Sequence, residues 1–256
     1  MKLRRNLVIL IASLFALSII SSAVLLFSVK KIEVDFSVVS DMETAELQSD
    51  LDEFIGKNLL FFNTDKIGEI VSEYPYFEVV SVKKNYPNVL SVKIRERIET
   101  YYIANGDNKL LVTDQNGFIV DIIESGDETI SNHPRSIIIA EFEGVEVVSS
   151  EIGTRIKTNH DELLNTFFEM SIEVGLYDCI KSVKIVVAPE KRDVYFSTYT
   201  GVTISITQAD VRGTDKAIVG FDAYNNKTDD YYKIFDRIEV VLKDDGTILP
   251  VWTEMN

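Results

Sequence analysis

Side chains that carry common catalytic and metal-binding chemistry are scarce in this sequence. Cys179 is the only cysteine, which excludes a disulfide within the chain, and His133 and His160 are the only histidines. One cysteine and two scattered histidines cannot supply the ligands of a structural zinc site. Nucleophilic catalysis usually needs a base beside the nucleophile, and neither histidine lies in such a motif. We therefore expect no metal, no cofactor and no catalytic site.

Other catalytic signatures are absent as well. The sequence contains no glycine-rich phosphate loop and no G-x-S-x-G motif. Carboxylates are plentiful, but neighbouring pairs such as Asp244 and Asp245 point apart on extended chain and are typical of turns. A hydrolase built on two carboxylates is kept as an alternative.

Basic residues are too few to balance the acidic ones. The chain has 26 lysines and arginines against 41 aspartates and glutamates, a net charge of −15. The first 30 residues hold four of the basic residues and none of the acidic ones, which leaves a net charge of −19 for residues 31–256. A surface of that sign repels both nucleic acid and anionic lipid at long range, so neither is expected as a partner of residues 31–256 as a whole. We expect no nucleic-acid partner.

The segment Leu7–Val29 contains no charged residue over 23 positions. As a helix it would extend roughly 35 Å, and the hydrocarbon core of a membrane is about 30 Å thick. Lys2, Arg4 and Arg5 precede it and favour a cytoplasmic N-terminus. The sequence predicts a single-pass cell-membrane protein with a transmembrane helix over residues 7–29 and extracytoplasmic C-terminal domains. A cleaved signal peptide ending near Ala23 is the alternative.

Five elements follow in the order β-α-α-β-β. Alternation of apolar and polar residues predicts a strand from Lys31 to Val38, and Ser40 with Glu43 has the spacing of a helix capping box. A second helix should end before Pro75. Two further strands flank a turn at residues 85–88, which is rich in asparagine and proline. Two helices on one face of a three-stranded sheet would bury these apolar stripes.

After Arg97 the pattern favours strands. Residues 114–117, Asp-Gln-Asn-Gly, predict a hairpin, and the helical spacing over residues 161–175 predicts one helix, with a weaker one over Asp215–Phe221. The predicted fold is thus α+β, with a single N-terminal transmembrane helix, a β-α-α-β-β domain and a β-rich domain with one or two helices. The predicted divisions are a cytoplasmic leader of residues 1–6, the transmembrane helix 7–29, the β-α-α-β-β domain 30–99, the β-rich domain 100–252 and a C-terminal tail 253–256.

Two groups of residues are candidates for binding. The first is a basic group on the hairpin of the first domain, formed by Lys83, Lys84, Lys93, Arg95 and Arg97. It could contact an acidic partner or membrane headgroups, although cross-strand pairs with glutamates also explain it. The second is the C-terminal strand around Glu239–Lys243 with the turn that follows, because a last strand at a sheet edge can accept a strand from another chain. Trp252 would then serve either as an interface anchor or as a cover for the open end of the sheet.

Several segments are similar to a known protein family. They are Leu59–Asn63, Tyr74–Phe77, Val80–Leu90, Val92–Arg97 and Val112–Ile119. Together with the order of elements, they resemble the bacterial cell-division family FtsQ/DivIB, in which the β-α-α-β-β module is the polypeptide-transport-associated (POTRA) domain. The sequence departs from the family at Ile98–Thr100, where a proline is often found, and Asp210–Asp230 matches no family segment.

The resemblance implies a non-enzymatic scaffold of the divisome at the division septum. Its partners would be bitopic coiled-coil division proteins of the FtsL and FtsB/DivIC types and the septal peptidoglycan synthase complex, with the membrane contacted through Leu7–Val29. The implied partner-binding residues are Lys243, Asp245, Gly246, Ile248 and Trp252, with Lys83, Lys84 and Arg95 as a secondary contact. The alternatives are a POTRA-type transport or chaperone module that binds extended peptides, and a membrane-anchored cell-wall enzyme.

Overall fold

The computed structural model describes residues 2–37, 44–105, 108–127, 137–175, 179–227 and 229–254. The chain divides into two compact units, Met1–Arg97 and Ile98–Asn256. The predicted capping box of Ser40 and Glu43 lies outside the described residues, and so does His133.

The first unit contains an N-terminal helix and a small α+β domain. Its elements are α1 Lys2–Leu26, β1 Lys31–Ser37, α2 Thr44–Asp52, α3 Asp65–Val71, β2 Phe77–Asn85 and β3 Val89–Glu96. The sheet has the order β1-β3-β2, with β1 parallel and β2 antiparallel to the central strand. The β-α-α-β-β order expected from the sequence is confirmed.

Helices α2 and α3 cover one face of this sheet. The buried side chains of β3 are Leu90, Val92 and Ile94, which alternate with polar residues. The two helices contribute Leu47, Leu51, Ile67 and Val71 to the same core. The alternating period of the strand and the helical spacing of α2 and α3 therefore produce one apolar layer between sheet and helices.

The predicted transmembrane helix over Leu7–Val29 is wrong. Helix α1 ends at Leu26, and no helix among the described residues is both long enough and apolar enough to cross a membrane. The last residue of the predicted span, Val29, is only 1% exposed and belongs to the core of the first unit. Its N–H donates to the carbonyl of Lys57 at 2.8 Å. The uncharged run thus continues into a folded core, which its composition does not reveal.

The second unit is built on a nine-stranded mixed sheet. Its elements are β4 Tyr101–Ala104, β5 Lys109–Thr113, β6 Ile119–Glu124, β7 Ile138–Glu143, β8 Val147–Ser149, β9 Lys157–Thr158, α4 Asp161–Val174, β10 Ile180–Ala188, β11 Lys191–Thr198, β12 Thr203–Ile206, α5 Gly213–Asn225, α6 Asp229–Tyr232, β13 Phe235–Leu242 and β14 Ile248–Glu254. The strand order is β14-β13-β12-β11-β10-β7-β4-β5-β6, and β8 pairs with β9. The described residues form three helices in this unit, so the expectation of one or two is corrected.

Aromatic side chains fill the space between the sheet and helices α4 and α5. Phe167 of α4 contacts Tyr101 and Phe196 with ring centroids 5.2 and 6.2 Å apart. Phe221 of α5 meets Phe196 edge to face at 5.4 Å. These pairs join both helices to one core and add to the stability gained from apolar burial.

Helix α5 lies close to the sheet at Gly220. A Cβ atom at this position would lie 2.8 Å from Cγ2 of Val240 and 2.9 Å from Cγ2 of Ile204. Real Cβ atoms do not approach other carbons so closely, so the missing side chain sets the distance between α5 and strands β12 and β13.

Helix α5 is also longer than the predicted Asp215–Phe221. It contains Lys216, which is 1% exposed and whose Nζ donates to the carbonyls of Thr207 and Gln208 at 2.8 and 3.0 Å. A lysine on the buried face weakens the apolar periodicity from which a helix is predicted.

Candidate functional site

Strand β14 forms one edge of the large sheet. It pairs with β13 along Ile248–Glu254 and has no second neighbour in the part of the chain that the structure describes. The strand predicted to be open, around Glu239–Lys243, is β13, which pairs with both β12 and β14. The main-chain groups available to a partner therefore belong to the strand after the turn.

The register decides which of those groups face outward. The N–H of Lys243 donates to the carbonyl of Thr247 at 2.9 Å, and hydrogen-bonded pairs alternate along an antiparallel ladder. The next such pairs are Val241 with Leu249 and Glu239 with Val251. The main-chain groups of the intervening residues Ile248, Pro250 and Trp252 consequently point away from β13.

Pro250 fits this arrangement because proline has no N–H to donate. Opposite Val240, it occupies a position that makes no hydrogen bond to β13, so its presence costs the ladder nothing. On the outward side, Ile248, Pro250 and Trp252 each offer a carbonyl acceptor. Only Ile248 and Trp252 also offer an amide donor.

The turn before β14 contains three of the predicted site residues. Asp245 accepts a hydrogen bond from the N–H of Thr247 at 2.9 Å, and this bond lowers the pKa of the Asp245 carboxyl. Gly246 has φ +84°, a conformation that side-chain-bearing residues rarely adopt. Lys243 closes the turn by accepting the N–H of Gly246 at 2.9 Å. These contacts fix the point at which the edge strand starts.

The two predicted apolar residues of β14 face the core side of the sheet. Ile248 lies opposite Leu242 and Trp252 opposite Ile238, and both are partly buried against the hydrophobic core. On the other face of the strand, Val251 is 48% exposed. A partner strand added to this edge would therefore meet Ile248 and Trp252 on one face and Val251 on the other.

Trp252 belongs to an aromatic cluster that the sequence did not reveal. Its ring lies edge to face against Tyr231 at 4.7 Å and against Phe235 at 5.7 Å, and these two rings stack at 4.3 Å. The ammonium of Lys227 lies 4.4 Å from the Tyr231 centroid. This geometry favours the interpretation in which Trp252 covers the end of the sheet. Spacing alone could not link Tyr231 and Phe235 to Trp252.

The predicted secondary residues lie in the first unit and do not form one patch there. Arg95 pairs with Glu78 across β2 and β3, as the cross-strand interpretation expected. Lys83 lies opposite Ser91 and Lys84 opposite Leu90, so the two lysines are on opposite faces of the sheet. Neither lysine makes an ion pair with a described residue.

The second unit also contains a cleft of about 320 Å³ that includes His160. It is lined by residues 158–163 with Arg192 and Asp210. Asp161 accepts the N–H of Thr158 at 2.6 Å, and Asp210 pairs with Arg192 at 2.8 Å. The described residues contain no group of three or more histidine, cysteine or acidic side chains placed to hold a metal ion.

Comparison with known proteins identifies the first unit. Residues 27–97 match the family model of the FtsQ-type POTRA domain. The chain is 26% identical over 149 residues to the cell division protein DivIB of Clostridium acetobutylicum, covering 57% of this chain and 55% of the relative. The resemblance to the FtsQ/DivIB family is confirmed.

Two further DivIB proteins are similar to this chain. The DivIB of Clostridium botulinum is 26% identical over 144 residues, covering 55% of this chain and 52% of the relative. The DivIB of Clostridium tetani is 28% identical over 64 residues, which cover 25% of this chain and 24% of the relative. The chain thus spans about half the length, or less, of the DivIB proteins it matches. The match to the FtsQ-type POTRA domain covers β1 to β3 and ends at Arg97, where the first unit ends.

Proposed function

We propose that this FtsQ/DivIB-type protein takes part in cell division as a non-enzymatic scaffold. The FtsQ-type POTRA domain and the relatives named cell division protein DivIB support a division role. The scaffold would act at the division septum and help to regulate the septal peptidoglycan synthase complex. The observation that supports binding most directly is the edge strand β14, whose outward main-chain groups lack a partner strand among the described residues.

The proposed partners are bitopic coiled-coil division proteins of the FtsL and FtsB/DivIC types. A strand from such a partner would pair with Ile248–Glu254, because addition of a strand to an open edge satisfies main-chain groups on both chains. The turn at Lys243, Asp245 and Gly246 would position one end of the interface. Trp252, with Tyr231 and Phe235, would hold the other end rigid.

A transport or chaperone module is the second candidate, since an open edge can pair with any extended peptide. The two functions differ in selectivity, because main-chain pairing alone does not read the partner's side chains. In a dedicated scaffold, exposed Val251 and the residues of the turn would have to distinguish the correct partner from other extended peptides.

Replacement of Ile248 tests strand addition directly. Ile248→Pro removes an outward amide donor and leaves the inward pairs of Leu249 and Val251 in place. Ile248→Ala is the matched control, because it loses the same side chain but keeps the donor. We expect the tagged Ile248→Ala variant to capture a purified FtsB/DivIC-type protein and the tagged Ile248→Pro variant to lose this capture. The circular dichroism spectrum should be unchanged in both variants.

The other outcomes are informative in the same assay. Capture by both variants would show that the outward amide of Ile248 is not used and would contradict pairing at this edge. Loss in both variants would assign binding to the side chain instead of the main chain. Equal capture of unrelated extended peptides by the unmodified chain would favour the transport or chaperone candidate.

A further inference from the structure

The connection from β12 to helix α5, residues 207–212, is bound along its length to strand β11. The N–H of Ala209 donates to the carbonyl of Arg192 at 2.6 Å, and the carboxylate of Asp193 accepts the N–H of Gln208 at 2.9 Å. Because these contacts tie the connection to the middle of the sheet, we call residues 207–212 the strap.

The far end of the strap is bound to the turn before the edge strand β14. Nη1 of Arg212 donates to the carbonyl of Gly246 at 2.9 Å. In the sheet, β12 and β13 lie between β11 and β14, and neighbouring strands are about 4.8 Å apart. The strap therefore links an interior strand to the candidate binding edge, roughly 14 Å away.

Two residues of the strap have strained backbones. Gln208 has φ 47° and Arg212 has φ 53°, in the left-handed region that residues with a side chain disfavour. Gln208 is kept there because Asp193 binds its N–H and Nζ of the buried Lys216 donates to its carbonyl at 3.0 Å. Such a conformation persists only where the surrounding contacts impose it, so loss of these contacts allows the strap to relax.

The ion pair between Arg192 and Asp210 fastens the strap on a side that is open to solvent. The two groups are 2.8 Å apart and line the cleft of about 320 Å³ described above. Their side chains are 56% and 31% exposed, so water and salt screen the pair and make it weak. A weak contact that opposes backbone strain allows two arrangements of similar free energy.

We propose that the strap is a conformational switch that couples this ion pair to the edge strand β14. In the fastened arrangement, Asp210 stays on Arg192, and Arg212 holds the turn at Gly246. In the released arrangement, the strained residues return to the right-handed region, the side chain of Arg212 turns away and the turn loses its donor. The switch regulates the addition of a partner strand at β14, a consequence that rests on the proposed function.

Hydrogen exchange of the Gly246 and Thr247 amides in the full chain tests the coupling without any partner. In Asp210→Ala these amides should exchange about two- to fivefold faster, as expected for loss of an exposed ion pair. The matched control is Glu143→Ala, which removes a carboxylate from an exposed pair with Lys184 in the same sheet and should leave exchange at the turn unchanged.

A double variant separates coupling from general destabilisation. Arg212→Ala already removes the side chain through which the strap holds the turn. Adding Asp210→Ala to this variant should therefore cause no further increase in the exchange of the Gly246 amide. Two independent contacts would instead give effects that add.

Relief of the backbone strain should act in the opposite direction. Glycine adopts a positive φ without strain, so Gln208→Gly should favour the fastened arrangement. Gln208→Ala is its matched control, because it loses the same side-chain contacts but keeps the strain. We expect the Gly246 amide to exchange about fivefold more slowly in Gln208→Gly than in Gln208→Ala.

Several results would overturn the switch. They are unchanged exchange in Asp210→Ala, an equal increase in Glu143→Ala, additive effects in the double variant, and equal exchange in the two Gln208 variants. Capture of a purified FtsB/DivIC-type protein is measured separately. Faster exchange in Asp210→Ala with unchanged capture would overturn the regulatory role, whereas no capture by the unmodified chain would contradict the proposed function and leave the exchange result standing.

Discussion

Arg212 donates a hydrogen bond of 2.9 Å from Nη1 to the carbonyl oxygen of Gly246, 34 residues away in sequence. The same guanidinium donates from Nε to Asp215 in the first turn of α5 at 2.8 Å. The start of helix α5 and the turn before the edge strand are thus joined by one side chain. The position of the candidate binding edge therefore depends on a residue outside it.

Arg212→Ala should loosen this turn without unfolding the unit. The arginine is about half exposed, so its loss should cost about 1 kcal/mol or less of unfolding free energy. We expect faster hydrogen exchange of the Gly246 and Thr247 amides. Lys184→Ala, which removes an exposed pair with Glu143, is the control. Unchanged exchange at the turn in Arg212→Ala would show that Arg212 does not hold it.

Lys216→Met should destabilise the second unit by about 1–3 kcal/mol, because two carbonyls lose a buried donor. The ammonium now bonds to Thr207 and Gln208, while burial lowers the pKa of Lys216. Urea unfolding at pH 7 measures the change, with the exposed Lys181→Met as control. A variant as stable as the original chain would show that water replaces the lost donor.

The phenol of Tyr195 should lose its proton at a higher pH than an ordinary tyrosine. Burial and the hydrogen bond to Asp193 at 2.9 Å raise its pKa to about 12, above the ordinary value of 10.0. A raised pKa means that the folded state favours the neutral phenol. The stabilisation is complete below about pH 10 and is lost as the pH rises towards 12. The difference in ultraviolet titration between the chain and Tyr195→Phe isolates this residue, and a midpoint near 10 would contradict the assignment.

Two glycine-to-alanine changes should have opposite effects. Gly220→Ala forces a methyl group against Val240 and Ile204 and should cost about 1–3 kcal/mol. Gly68→Ala, in helix α3 with nothing within 4 Å of the new atom, should stabilise its unit by about 0.5–1 kcal/mol. Calorimetry of each variant checks the sign. If the stability of Gly220→Ala equals that of the original chain, α5 moves away from the sheet at little cost in free energy.

The sequence predicted elements whose signal is local. Leu90, Val92 and Ile94 alternate with exposed or half-buried residues, so strand β3 follows directly from the pattern. The hairpin of β5 and β6 follows from the turn residues Asp114–Gly117, and Asp114 accepts the N–H groups of Asn116 and Phe118 there. In both cases the physics that forms the element acts within a few residues.

Features that depend on distant contacts were missed or misplaced. The uncharged N-terminal run gave no sign that Val29 is buried in the core of the first unit, with its N–H bonded to the carbonyl of Lys57. The edge strand was misassigned because β13 pairs in parallel with β12 through the crossover helix α5, a connection with no local signature. The aromatic cluster of Tyr231, Phe235 and Trp252 likewise forms only when β14 folds back beside β13.

Pro250 has a consequence for the behaviour of the free protein in concentrated solution. An unpaired strand is a template on which identical molecules can stack into continuing sheets. A proline in the middle of that strand withholds one donor and interrupts the repeating ladder that such growth requires. A proline that costs the pairing with β13 nothing therefore also opposes fibre-like polymerisation through this edge.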